Sequence, residues 1–398
     1  MTARVRVKPA VLAGLAVLLT MTACGGSDPD PPRSFSSRAV TTVHDLPEGR
    51  LPVVMDGRSA HVGFGHQLRI LDLEKGEWAA SLSAKSPVLP EQGRATTPLL
   101  IQGNSEDGAE RTVLMAFRVQ APGSGNGERQ GVEVAAADPD SGDLRWRLQV
   151  EASGTVGSPR FLGSHGGLAV LEVPDSGQDS PAATLFGIDL GKQRVGWELS
   201  ARKGGEMTGD RVITTAVTER QQRALTAVSA MDGTVLWEQE PSATGAARAA
   251  VGQDKVLVSR RENGGETYRV LDTADGTVLH TYREEFEELL TLTRECYDDE
   301  LSVVVCADGF GAVVALDHGT GEVLWHRAEG LAVRAAWRGL VYGRDDKLKS
   351  VAVDGRTGEH RKTDLGVLPD LVNQYAAFSR DGSSPLMPSR GVGIHLAE

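Results

Sequence analysis

Cysteine is scarce in this chain, three among 398 residues, and one of the three falls within the first 24. That scarcity excludes a small disulfide-built scaffold. Aromatic residues reach only 5%, so few remain to line a ligand pocket once those needed for packing are set aside. A surplus of base is missing as well: 42 Lys and Arg face 54 Asp and Glu, a formal net charge of −12. The one local concentration of cations is Arg4 to Lys8, and without basic clusters to neutralise phosphates the chain is not a nucleic-acid binder. Beyond the N-terminal segment no run approaches the roughly 18 apolar residues of a membrane-crossing helix. What abounds is glycine, 47 residues, beside a hydrophobic fraction of 40% and a charged fraction of 24%. A packed, turn-rich, all-β body fits that balance, and disorder along the whole length does not.

Arg4, Arg6 and Lys8 precede the apolar run from Ala10 to Leu19, which is too short to cross a hydrocarbon core of ~30 Å and has the layout of an export signal. It ends at Met21-Thr22-Ala23-Cys24. Small residues before a cysteine resemble the lipobox of bacterial lipoproteins, although Met21 stands where Leu is usual. The resemblance implies that Cys24 is acylated, palmitate included, and becomes the new N-terminus. The chain then divides into a signal peptide over 1–23, a lipidated Cys24 with a flexible tether over 24–50, and a folded body over 51–398. GGSDPDPPRSFSS has the composition of such a tether. Losing Arg4, Arg6 and Lys8 moves the net charge from −12 to −15, and the body lies outside the cytoplasm at a cell membrane.

A repeat organises the remainder. Each copy has a strand, an Asp, a turn ending in Gly, and a second strand with an aromatic eight positions after the Asp. AAADPDSGDLRW (Asp138, Gly142, Trp146) and VALDHGTGEVLW (Asp317, Gly321, Trp325) are complete. FGIDLGKQRVGW (Asp189, Trp197) lacks the Gly, TAVSAMDGTVLW (Gly233, Trp237) has Ser229 for the Asp, and RVLDTADGTVLH (Asp272, Gly276) places His280 in the aromatic position. LRILDLEKGEW carries Asp72 with Trp78 displaced by two, and SVAVDGRTGEH carries Asp354 and Gly358 with no aromatic. Seven anchors, 72, 138, 189, 229, 272, 317 and 354, recur at a mean spacing of 47 residues, the period of four-stranded propeller blades. The Asp accepts turn N–H bonds, the Gly supplies a positive φ, and the Trp covers the gap between blades with its indole N–H near a backbone carbonyl. Polar insertions, 103–111, 121–131 and 174–183, read as extended loops on one rim.

These copies resemble the PQQ-like (pyrrolo-quinoline quinone) repeat family of β-propellers, best at Ala315-Leu316-Asp317 with Thr320-Gly321 and Trp325, and at Ala136-Ala137-Asp138 with Gly142 and Trp146. The resemblance covers roughly residues 60 to 365 and implies a seven-bladed ring, or an eight-bladed one if the 66-residue first interval holds a degenerate blade. Leu51 to Gly63 and the terminal GVGIHLAE are expected to complete one shared blade, removing the exposed edge. In the quinoprotein dehydrogenases of this family the tryptophans are inter-blade girders, and catalysis needs an adjacent Cys pair, a Ca²⁺ site and an Asp base. This chain has no adjacent Cys pair, so no cofactor and no catalytic residue is assigned.

Cys296 and Cys306 flank the turn-like YDDELS; they form a disulfide across paired strands or stay reduced in neighbouring buried strands. No metal site is assigned: the nine His are scattered, His280 and His318 included, and Glu284, Glu285, Glu287 and Glu288 in REEFEELL lack the Gly-turned cage of a Ca²⁺ loop. No nucleophile elbow, zinc helix, phosphate loop or dinucleotide fingerprint occurs. The expected function is a monomeric, lipid-anchored binding scaffold for protein or cell-wall partners reached by rim loops. It resembles the lipoprotein propellers of the outer-membrane β-barrel assembly machinery, which dock proteins without catalysis. The alternatives are a quinone-dependent dehydrogenase or propeller lyase acting on sugars or alcohols, and a small-ligand sensor with an aromatic-lined pocket.

Overall fold

Apolar residues alternating with tight turns yield strands and nothing else: the described residues contain no helix, and every strand pair is antiparallel. The computed structural model describes residues 30–398 apart from 45, 47–50, 91–95, 103–109, 121–128, 153, 177–181, 218–222, 240–244, 263–264, 283–294, 309–310 and 381–390. Six sheets have four strands each and one has seven. The seven-stranded sheet arises from one 15-residue strand, Arg194–Thr208, whose first half pairs with Ala183–Asp189 and whose second half pairs with Arg211–Val217. That strand is the last of one blade and the first of the next. The described strands therefore form eight four-stranded blades: 1 (53–83), 2 (99–151), 3 and 4 (160–238, sharing the long strand), 5 (245–282), 6 (295–327), 7 (331–363) and 8 (371–396 with Thr41–His44).

Burial follows the seams between blades. Phe117 packs with Leu68 between blades 1 and 2, Phe186 with Val132 between 2 and 3, and Trp197 with Val228 between 3 and 4. Ile213 meets Val256 at the next seam, Tyr268 meets Val304, Val305 meets Val341, and Tyr342 meets Ala377. Phe378 and Ile394 then pack on Val62 of blade 1, which closes the ring. Because both faces of each blade are covered, the middle strands read as unbroken apolar runs, such as Val313 to Leu316, each fully buried.

Eight blades carry only seven repeat copies for a topological reason. The motif marks the turn from a blade's third strand to its fourth. In blade 8 the third strand is Gly391–Leu396 and the fourth is Thr41–His44, from opposite ends of the chain, so no turn exists there to be marked. Among the described residues the long first interval holds no additional blade: Glu77–Ser83, Leu99–Ile101, Thr112–Gln120 and Gln130–Ala137 are the strands between its anchors.

Three expectations are corrected. Leu51 to Gly63 does not pair with the C-terminal strand; Val53–Asp56 and Ser59–Gly63 begin blade 1, and Thr41–His44 closes the ring. The tether does not run to residue 50: Phe35 is 1% exposed, its N–H donates to the Leu365 carbonyl at 2.8 Å, and the Tyr342 hydroxyl donates to the Pro32 carbonyl at 2.8 Å. A Phe within a polar segment was the available signal. Finally, the insertions do not share one rim. Segments 103–111 and 121–129 leave opposite ends of Thr112–Gln120, a strand of nine residues that extends roughly 25 Å at about 3.3 Å per residue.

Candidate functional site

Chemistry-bearing side chains gather in two places, the motif turns and the innermost strands. At each turn the Asp carboxylate organises the backbone. Asp138 Oδ1 accepts the N–H groups of Asp140 and Ser141 at 3.0 and 2.9 Å; Asp317 Oδ1 accepts those of Gly319 and Thr320 at 2.9 and 2.8 Å; Asp354 Oδ1 accepts those of Arg356 and Thr357 at 3.0 and 2.9 Å. Asp72, Asp189 and Asp272 accept turn N–H bonds likewise. Bonds to the ionised form hold it in that form. The Ser141 N–H, ahead of other contributors, lowers the Asp138 carboxyl to about 2, and the Lys75 N–H leads a downward shift at Asp72. At Asp189 the Lys192 ammonium leads the downward shift. The Asp317 and Asp354 carboxyls also lie low: burial opposes the shift most strongly, but turn and Arg hydrogen bonds outweigh it.

The Gly of each turn does two things. Its φ is positive, 73° at Gly233 and 71° at Gly358, and it seats the neighbouring blade's Trp. A methyl group at Gly233 would come within 2.8 Å of the Trp197 ring, and one at Gly358 within 2.9 Å of Trp325. The indole N–H groups then donate across the seams: Trp197 to the Ala230 carbonyl at 3.0 Å, Trp237 to Thr273 at 2.9 Å and Trp325 to Gly355 at 2.7 Å. Each acceptor is one residue past the next blade's anchor, so Trp, Gly and anchor form one joint. Trp146 packs at the seam of blades 2 and 3 beside Leu190, where Gln193 takes the positive φ that Gly holds elsewhere. At blade 5 a hydrogen bond links His280 Nε2 and the Thr320 carbonyl at 3.2 Å, and the Tyr282 hydroxyl donates to Gly321 at 2.7 Å. Ala80 occupies the slot in blade 1, against Gly142; Trp78 packs instead toward blade 8, with the Arg69 guanidinium 3.8 Å from its ring centre.

Cys296 and Cys306 lie directly opposite on paired strands of blade 6 and are joined, with their Cα atoms 4.0 Å apart. On the first strands of blades 6 and 7 and the start of blade 8 is a group that sequence reasoning missed. The Tyr297 hydroxyl donates to Glu295 Oε2 at 2.7 Å, Arg334 Nη1 is 3.9 Å from Asp370 Oδ1, and Asp370 Oδ2 accepts the Arg380 N–H at 2.7 Å. Burial pushes the Asp370 carboxyl and the Tyr297 phenol up. Arg334 and Arg248 each occupy the extra residue of a β-bulge at matching positions of blades 7 and 5, a device that re-aims a side chain. A lone Arg in an apolar strand gave no sequence signal. His61, fully buried, was missed too: a hydrogen bond joins its Nε2 and the Pro139 carbonyl at 2.8 Å, and burial lowers its pKa. Among the described residues no three His, Cys, Asp or Glu side chains converge as a metal site. His318 is 3.4 Å from Asp298. Cys24 and Glu284, Glu285, Glu287 and Glu288 lie outside the described residues.

A family model described as outer membrane protein assembly factor BamB matches residues 130–336, just over half of the chain. Comparison with curated proteins returns no match. Among solved structures, BamB from Moraxella catarrhalis is similar at a TM-score of 0.50 and 15% identity, over 90% of this chain and 97% of that one. A computationally designed protein, Ika8, is similar at 0.53 and 12%, over 90% and 99%. The quinohemoprotein alcohol dehydrogenase ADHIIG from Pseudomonas putida HK5 is similar at 0.52 and 10%, over 92% and 78%. At such identities the likeness concerns the propeller fold alone.

Proposed function

We propose that this chain, which belongs to the BamB family of PQQ-repeat propellers, works as a lipid-anchored, extracytoplasmic scaffold that binds a protein or cell-envelope partner and performs no catalysis. The observation that carries this reading is the use made of the repeat. Its Asp, Gly and Trp residues build inter-blade joints, as at Trp325 to Gly355 and Trp197 to Ala230, so the motif serves architecture as it does in the quinone enzymes, while the adjacent Cys pair that those enzymes add to it does not occur in this sequence. A ring so braced presents loops and outer strands on a rigid frame, the arrangement that suits recognition. Cys24 tethers the ring to the membrane, and the net negative body stays monomeric on its surface. Titration of the purified protein with pyrrolo-quinoline quinone and Ca²⁺, followed by absorbance and by dye reduction with alcohols and sugars, tests it. The expected result is no saturable binding and no turnover, together with one partner that cross-links saturably at the membrane. Saturable quinone binding with turnover overturns the scaffold reading in favour of a dehydrogenase.

A further inference from the structure

Blade 7 differs from the rest of an acidic protein. Residues 331–363 hold eight Lys and Arg against four Asp and Glu. Its second hairpin ends in Asp345-Asp346-Lys347-Leu348-Lys349, and Leu348 at the tip is 76% exposed, well above the next large apolar side chain among the described residues, Leu301, at 50%. The tip is fixed in this display. Asp345 Oδ1 accepts the N–H groups of Lys347 and Lys349 at 3.0 and 2.8 Å, its carbonyl accepts that of Leu348 at 3.0 Å, and Leu348 takes a φ of 61°. A bulky side chain in that conformation costs energy unless the surroundings hold it.

The tip also stands where the chain departs for its anchor. Ser350, next to Lys349, accepts the Asp364 N–H at 2.9 Å and, through its hydroxyl, the Leu365 N–H at 3.0 Å; the Leu365 carbonyl accepts the Phe35 N–H. Pro32 is held nearby by Tyr342. Between Cys24 and Pro32 the backbone reaches at most about 28 Å. Asp345 and Asp346 balance the two lysines in charge, and Lys349 Nζ lies 3.7 Å from Asp364 Oδ2. Asp345, however, is turned to the backbone of the tip, which leaves an apolar side chain between two lysines beside the exit, an arrangement that suits an interfacial contact with lipid headgroups.

We propose that the 345–349 hairpin is a membrane-contact element, with Leu348 entering the interfacial layer of an anionic bilayer while Lys347, Lys349 and the nearby Lys362 meet its headgroup phosphates. The inference deepens the anchored-scaffold reading and rests on it for the exit distance.

The test uses the full mature protein purified from membranes and reconstituted with vesicles of phosphatidylcholine alone or with about one-third phosphatidylglycerol. A polarity-sensitive fluorophore is placed on Leu348→Cys or, as the control, on Leu236→Cys in the exposed fourth strand of blade 4. Expected is a blue shift and several-fold rise at position 348 on the anionic vesicles alone, no change at 236, and a loss of roughly tenfold or more in lipid affinity for Lys347→Glu/Lys349→Glu, taking each lysine as worth about fivefold. Equal responses at 348 and 236, or silence at 348 on anionic vesicles, overturns the proposal. The mass of the N-terminal peptide reports the anchor separately. An acylated Cys24 with a silent probe sinks the contact and keeps the anchor; an unmodified Cys24 with a responding probe does the reverse.

Discussion

Blades 6 and 7 are neighbours with the same frame and opposite surfaces. Blade 6, residues 295–327, has one Lys or Arg against seven Asp and Glu, while blade 7 has eight against four. Their middle strands are alike, Val303–Ala307 and Val313–Asp317 in one, Leu340–Asp345 and Ser350–Asp354 in the other, and both are buried between seams. The difference lies in the first and fourth strands and in the turns. Blade 6 has a fourth strand, Val323–Arg327, that is half-buried and ends in the Trp325 joint, and its first strand is pinned by a disulfide. Blade 7 has a fourth strand, His360–Thr363, that is exposed at every residue and has no Trp. Charge on an edge strand discourages pairing with another chain. Seam packing and surface chemistry are thus separable in this fold: the joint residues are common property, and what surrounds them is free to vary.

The largest effect is expected from breaking the joint between these two blades. Trp325→Ala removes a half-buried ring seated on Gly358 and the hydrogen bond to Gly355, and is expected to cost about 3 kcal/mol, the lower end for such a truncation. Trp325→Phe keeps much of the packing and is expected to cost about 1–2 kcal/mol. Urea unfolding measures both. A Trp325→Ala midpoint equal to that of the parent would remove the joint from the account of stability and leave the seam to the packing of Val305 on Val341 and the Asp317–Arg356 pair.

Next comes the disulfide, which blade 7 lacks at the matching strands. Closing a ten-residue separation stabilises by about 2–3 kcal/mol in the chain-entropy treatment. The double variant Cys296→Ser/Cys306→Ser is expected to lose that amount, with hydrogen exchange rising first in Glu295–Asp298 and Val303–Ala307. Uniform exchange across blades 6 and 7 would mean that the bond braces the whole ring and not one blade.

Sequence alone made the architecture legible because the turn geometry is local. An Asp four residues before a Gly, with an aromatic four beyond, encodes a turn and a seam contact at once, so the turn between the third and fourth strands could be located in each of seven blades. Blade 8 was harder to read, since its third and fourth strands come from opposite ends and no short-range pattern joins Thr41–His44 to Gly391–Leu396. The Cys296 and Cys306 pairing was one of two readings because register across YDDELS decides it. The Glu295, Tyr297, Arg334 and Asp370 group was out of reach: it is assembled from three blades, and no member taken singly stands out in the sequence.

The smallest effect sharpens the comparison at the turns themselves. Asp317 of blade 6 and Asp354 of blade 7 are equivalent residues with low carboxyl pKa values, but their cations differ in origin. Asp354 Oδ2 is 2.8 Å from Arg361 of its own blade, whereas Asp317 Oδ2 is 2.9 Å from Arg356, which belongs to blade 7. A carboxyl held below its unfolded value near 3.9 binds fewer protons in the native state, so its contribution is complete above that value and is lost as pH falls through the folded one. Stability should therefore decline from about pH 4 downward, and Asp317→Asn and Asp354→Asn should each flatten that decline. Arg356→Ala should raise the Asp317 carboxyl and leave Asp354 in place, at a cost of no more than about 1 kcal/mol at neutral pH, because both guanidinium groups are about half-exposed and screened by solvent. Carboxyl carbon titration by NMR separates the two sites. Equal shifts at Asp317 and Asp354 would mean that the seam transmits the change through the backbone, and that the two blades do not titrate as independent units.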